Sequence, residues 1–175
     1  MSRASLYINR YYVAKVDTKA GMSLKENAIL LVEDSSEDAS LVQIAFKRWG
    51  IPNPVMVVTD GEHAVDYLAG HGRYADREQF PLPCLALLDL NLPQMSGFDV
   101  LEWLRSRHQF ADLPVVVLSG TQDPTHFDKA HQLGANACVV KTNDLAALHE
   151  LILHLNYFSV ASDYNNSAVE WFPET

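Results

Sequence analysis

From Ala28 onward the chain alternates between short unbroken apolar runs and longer stretches of mixed polarity. "AILLVED" opens the series, an apolar run that ends in two acids. A run without a polar break fits a strand covered on both faces, the usual condition of a parallel sheet. "PVMVVTD", "CLALLDL", "PVVVLSG" and "ACVVK" repeat the pattern. The stretches between them read as helices. In "SSEDASLVQIAFKRWG", Ser35 or Ser36 can cap the start, and Glu37 and Asp38 suit the positive end of the helix dipole. Ala39, Val42, Ala45, Phe46 and Trp49 fall on one face, and Gly50 ends the segment. "GEHAVDYLAG" and "FDVLEWLRSRH" are the next two helices. In "DPTHFDKAHQLG", Asp123 is placed to cap, Pro124 takes the first position and Gly134 follows the end. "NDLAALHELILHL" is the last. Residues 71–83 read as a polar loop closing in "FPLP", and "NLPQMSG" as a loop rich in breakers.

Five strand–helix repeats with short connections predict an α/β fold, a doubly wound five-stranded parallel sheet of the (βα)5 type. Ligands of such folds sit beyond the carboxyl ends of the strands. Those ends carry Glu33 and Asp34, then Asp89, then Ser119 and Gly120, then Lys141. Several carboxylates in one cleft repel unless a cation joins them. Mg²⁺ suits hard oxygen ligands, and a lysine is a compact charge able to hold a phosphate oxygen. Ser119 adds a hydroxyl donor, and Gly120 leaves the backbone open to close approach. A carboxylate nucleophile, a metal, a lysine and a hydroxyl together describe a phosphoryl-transfer site.

The segments "VEDS", "LLDLNLPQMSG", "VVVLSG" and "VVKT" resemble, in this order, the receiver domain of two-component response regulators. The resemblance covers about residues 27–155. It implies the flavodoxin-like strand order 2-1-3-4-5. It implies that Asp89 accepts a phosphoryl group from a sensor histidine kinase. Asp34 is implied as a direct Mg²⁺ ligand, Glu33 as a partner through water, Asp89 as a further ligand and Asn91 as a ligand through its carbonyl. Ser119 and Lys141 are implied to follow the phosphoryl group. Such a receiver catalyses only its own phosphorylation and dephosphorylation and signals through protein contacts. The alternative is a receiver-fold interaction module that works without phosphorylation. An aspartyl-nucleophile phosphatase of the haloacid dehalogenase type wants a second aspartate two residues after the first, where this chain has Asn91.

Two positions depart from the family pattern. Receivers usually carry an aromatic three residues before the lysine and a proline after it; here stand Cys138 and Thr142. A trans Lys141–Thr142 bond is expected, since a non-proline cis bond costs about 3 kcal/mol. A redox role for Cys138 is a minor alternative, because buried thiols are usually inert.

Composition narrows the partners. A net charge of -9 and a pI near 5.1 argue against nucleic-acid binding. No apolar run approaches a membrane span, and the N-terminus lacks the apolar core of a signal peptide. The two cysteines, Cys84 and Cys138, lie in strand-like runs and read as reduced in a cytoplasmic protein. The seven histidines show no ligand spacing. Residues 1–26 read as a flexible extension, with residues 1–21 ahead of a second start-like Met22. Residues 156–175 read as an aromatic-containing tail with no output domain. Leu41 and Ile44 lie opposite the core stripe of the first helix, beside Glu37 and Arg48, where related proteins dock kinases. Ala146, Leu153 and Tyr157 share the outer face of the last helix and form a candidate homodimer surface, while Leu145, Leu148, Ile152 and Leu155 face inward. The lysine–threonine pair, the short tail and its aromatics resemble the small regulators paired with phytochrome-type kinases.

Overall fold

The computed structural model describes residues 7–8, 28–141 and 145–152. Strands are β1 (Tyr7–Ile8), β2 (Ala28–Val32), β3 (Val55–Val58), β4 (Pro83–Asp89), β5 (Val115–Ser119) and β6 (Ala137–Val140). Helices are α1 (Ser36–Arg48), α2 (Gly61–Ala69), α3 (Gly97–Arg105) and α4 (Pro124–Gln132). Residues 146–152 are also helical. The sheet order is β1-β6-β5-β4-β2-β3. Its five long strands are parallel, and in their own chain order they read 2-1-3-4-5, as expected.

The sixth strand was not anticipated. Tyr7 and Ile8 pair antiparallel with β6, in register with Cys138 and Ala137. The rest of the expected extension, and the whole expected tail, lie outside the described residues.

The unbroken apolar runs have the cause that their pattern predicts: both faces of the sheet are covered. Leu30, Val32, Leu88, Val117 and Cys138 look toward one apolar cluster shared with α2, α3 and α4. Ile29, Leu31, Leu87, Val116 and Val139 look toward another, shared with α1 and residues 145–152. There Leu145, Leu148 and Ile152 are buried as expected, and Trp49 of α1 stacks on His149 with ring centroids 4.4 Å apart. Leu155 lies outside the described residues.

Helix starts follow the local chemistry. The Ser35 hydroxyl accepts from the Asp38 N–H, and Asp60 and Asp123 cap α2 and α4 in the same manner. Ser96 and Asp99 make a reciprocal capping box at α3. Gly70 closes α2 at φ 73°, a left-handed turn that glycine adopts without steric cost.

Two stretches differ from the sequence reading. The polar loop carries packed anchors: buried Tyr74 and half-buried Phe80 pack with Tyr67, and the Arg77 guanidinium donates to the carbonyls of Tyr67, Leu68 and Phe80. Helix α3 stops at Arg105 rather than running to His108. The Arg105 guanidinium donates to the carbonyls of Phe110, Leu113 and Gly134, which draws the chain into a 3-10 turn at His108–Phe110.

Candidate functional site

Glu33, Asp89, Ser119 and Lys141 each stand at or just beyond the carboxyl end of a parallel strand, so the sheet order gathers them on one edge. The Lys141 backbone N–H donates to the Ser119 carbonyl at 2.8 Å, which keeps β5 and β6 paired up to that edge. From this anchor the lysine side chain crosses the site. Its Nζ lies 2.7 Å from Asp89 Oδ2, 2.6 Å from Glu33 Oε2 and 3.1 Å from Asp38 Oδ2.

Backbone donors orient the carboxylates. The Asn91 N–H donates to Asp89 Oδ1 at 3.0 Å, and the Ser35 N–H to Glu33 Oε1 at 3.2 Å. The Ser119 hydroxyl is fully buried and accepts from the Thr121 N–H at 3.2 Å. Asp34 and Asn91 face solvent.

Burial pushes the Glu33 carboxyl above its ordinary pKa, against the pull of the Lys141 ammonium beside it. Burial also works against the lysine's charge. Hydrogen bonds and charge from Asp89, Glu33 and Asp38 outweigh it and hold the ammonium's pKa above the usual range.

One ammonium against this many carboxylates leaves the site acidic. Oxygens of Glu33, Asp34 and Asp89 all lie within 4.8 Å of one another. Around Mg²⁺, with bonds of about 2.1 Å, ligand oxygens stand roughly 3–4 Å apart. The donor set is therefore hard, anionic and close to the spacing that such an ion needs.

Glycines shape the rim. A Cβ on Gly120 would meet no atom within 4 Å, so the space beside Ser119 is open. Gly97 is the opposite case: a Cβ there would strike the Asp89 carbonyl oxygen. A Cβ on Gly61, at the start of α2, would strike the Met95 carbonyl oxygen. The loop between β4 and α3 is thus held between two close backbone approaches. Within it Gln94 takes φ 65°, a conformation costing a residue with a side chain about 1 kcal/mol.

Sequence reasoning missed two contributors. Asp38 was read only as a partner of the helix dipole. Gly97 was read only as a loop breaker. Nothing local marks the first, because its contact partner is 103 residues away.

Cys138 is 3% exposed among the side chains facing α2, α3 and α4, and burial pushes its thiol up to about 12. That environment keeps the thiol protonated and removes the basis for redox chemistry. Native protein at pH 8 is expected to leave Cys138 unmodified by iodoacetamide and to react fully once denatured. Peptide mass mapping checks this, and rapid native alkylation would contradict it. Thr142 lies outside the described residues. Leu41 and Ile44 are 44% and 50% exposed on α1, the outward position read from the sequence. Ala146 is exposed; Leu153 and Tyr157 lie outside the described residues. Among the described residues, no helix is long and apolar enough to cross a membrane.

The sequence profile of the response regulator receiver domain matches residues 29–153. Response regulator Rcp1 of Synechocystis sp. is 34% identical over 130 residues, spanning 74% of this chain and 86% of that protein. Among solved structures, the phosphorylated cyanobacterial phytochrome response regulator RcpA superposes with a TM-score of 0.67 at 33% identity, covering 78% of this chain and 96% of that one. The Mn²⁺-bound form of Rcp1 superposes with a TM-score of 0.63 at 31% identity, covering 82% and 97%.

Proposed function

The chain belongs to the response regulator receiver domain family, and on that premise we propose that it accepts a phosphoryl group on Asp89 from a sensor histidine kinase, in a Mg²⁺-dependent reaction. The observation that carries this reading is the setting of Asp89. It is 5% exposed at the end of β4, its two oxygens are held by the Asn91 N–H and the Lys141 ammonium, and the oxygens of Glu33 and Asp34 lie beside it.

In the proposed transfer an Asp89 oxygen attacks phosphorus. The bond from phosphorus to the kinase imidazole nitrogen breaks, and its electron pair stays on the imidazole. The product on this chain is an acyl phosphate. Asn91 and Lys141 orient the attacking carboxylate beforehand, so little reorganisation remains for the reaction. Lys141 then follows the new charge, and the Ser119 hydroxyl turns from its Thr121 contact to donate to a phosphoryl oxygen. Gly120 leaves space for that group. Glu33, Asp34 and Asp89, with the Asn91 carbonyl, would hold Mg²⁺, which would supply neutralising charge to the phosphoryl oxygens. The Mn²⁺-bound state of the similar Rcp1 supports a divalent ion here.

The same reading makes residues 27–155 the receiver, in a cytoplasmic protein that catalyses only its own phosphorylation and dephosphorylation. Its input is a kinase of the phytochrome type, as the similarity to RcpA and Rcp1 supports. Phosphorylation shifts the population between two states of the domain, and the output is a protein contact. A homodimer through Ala146, Leu153 and Tyr157 is one such contact. Light scattering with and without a beryllofluoride phosphoryl mimic is expected to show a dimer, and a monomer in both states would remove it. Phosphoryl acceptance itself is tested with acetyl phosphate and Mg²⁺ on a phosphate-affinity gel. A shifted band that disappears with EDTA is expected; no shift leaves only an interaction module.

A further inference from the structure

Three carboxylate oxygens face the Lys141 ammonium, which donates hydrogen bonds to those of Asp38 and Asp89 and makes an ion pair with that of Glu33 at 2.6 Å. Two belong to Glu33 and Asp89. The third belongs to Asp38, in the first turn of α1, which no metal or phosphoryl role requires. We propose that Asp38 is a positioning residue acting through Lys141: it holds the ammonium in its resting place and so restrains phosphorylation of Asp89. This rests on the reading of Asp89 as the phosphoryl acceptor.

Geometry separates Asp38 from the other two. The side chains of Glu33 and Asp89 are 1% and 6% exposed, and that of Asp38 is 42% exposed. Asp38 is therefore the outermost of the three contacts. Its position is also fixed rather than fortuitous. The Asp38 N–H donates to Ser35 Oγ at 3.2 Å, while the Ser35 N–H donates to Glu33 Oε1 at 3.2 Å. One turn of chain thus sets both Glu33 and Asp38 against the same ammonium.

The charges then work in one direction. In the acyl phosphate, Asp89 loses its carboxylate charge, and a phosphoryl group of about -2 charge appears further out. Lys141 is best placed on the new oxygens, and its 3.1 Å contact to Asp38 must loosen for it to reach them. The Asp38 carboxylate also repels the incoming anion and the product. Its contact to lysine favours the resting state, and its repulsion disfavours the phosphorylated one. Because Asp38 is partly exposed, solvent weakens both effects, and the net influence falls near that of a single screened ion pair. A merely structural helix-start acid would change melting and leave the reaction alone.

The test times labelling of the full chain by acetyl phosphate with Mg²⁺ on a phosphate-affinity gel, with thermal melts to verify folding. Asp38→Asn is expected to raise the initial rate roughly three- to tenfold. Asp38→Glu, which keeps the charge within reach of the ammonium, is expected to stay near the original rate. In a Lys141→Met background, Asp38→Asn is expected to lose most of its effect, as coupled residues do in a double-mutant cycle. An unchanged or slower Asp38→Asn rate overturns the proposal, as does equal acceleration in the Lys141→Met background. Where Lys141→Met labels too slowly to time, the glutamate variant decides, and acceleration there overturns it. If the original chain takes no label at all, the phosphorylation reading fails and takes this one with it. If it labels and Asp38→Asn changes nothing, only this inference fails.

Discussion

Replacing Asp89 by asparagine is expected to abolish labelling by acetyl phosphate and Mg²⁺ while leaving the domain folded. The amide has no anionic oxygen to attack phosphorus, so the loss is complete rather than partial. Shape is nearly preserved, and the new side-chain oxygen can still accept from the Asn91 N–H, which now reaches Asp89 Oδ1 at 3.0 Å. The ion pair from Lys141 to Asp89 is lost, but the ammonium keeps Glu33 at 2.6 Å and Asp38 at 3.1 Å. Removing one of several crowded carboxylates also relieves repulsion around Glu33, whose charged form is already disfavoured by burial. The melting temperature should therefore hold or rise. A label that persists in Asp89→Asn would place the phosphoryl group on another residue and reject the assignment.

Gly97→Ala should damage both stability and acceptance. Its Cβ would fall on the Asp89 carbonyl oxygen and within 2.7 Å of the Leu90 Cα. Both are backbone atoms at the end of a central strand, so neither can rotate aside. Alanine in a helix is ordinarily worth about 1 kcal/mol over glycine. Overpacking against fixed backbone costs about 1–3 kcal/mol or more, and the Gly97 N–H contact to the Leu90 carbonyl at 3.1 Å would also be stretched. The expected net loss is about 2 kcal/mol by urea unfolding, with labelling slowed at least about tenfold because Asp89 itself is displaced. Gly120→Ala is the control: its Cβ meets nothing, so its stability should stay within about 0.5 kcal/mol. Equal behaviour of the two alanine variants would show that the close approach at Gly97 is not the constraint.

Much of the fold is legible in the sequence because burial on both faces of a sheet leaves unbroken apolar runs. Those five runs also placed the polar residues at their ends, and the sheet order then brought Glu33, Asp89, Ser119 and Lys141 together. What stayed hidden depends on contacts rather than periods. A two-residue strand such as Tyr7–Ile8 is too short to show an alternation. Tyr74 and Phe80 sit among polar neighbours, so their loop read as polar although Tyr74 is buried. Asp38 has the same local pattern as any acid in a first helical turn, and only the path of Lys141 across the sheet gives it a partner. Gly97 looks like a breaker until the distance to Asp89 is known.

The two borders of the sheet have an implication for how copies of the chain could line up. A border of unpaired N–H and C=O groups is a template on which another molecule can extend the sheet. Among the described residues, one border is β3, four residues long with Val57 partly uncovered, and the other is the two-residue β1. Two residues offer too few hydrogen bonds to recruit a neighbour. Among the described residues, β3 is therefore the more open border for such growth. Joining β3 to β3 would use that border in both partners and would close at a pair.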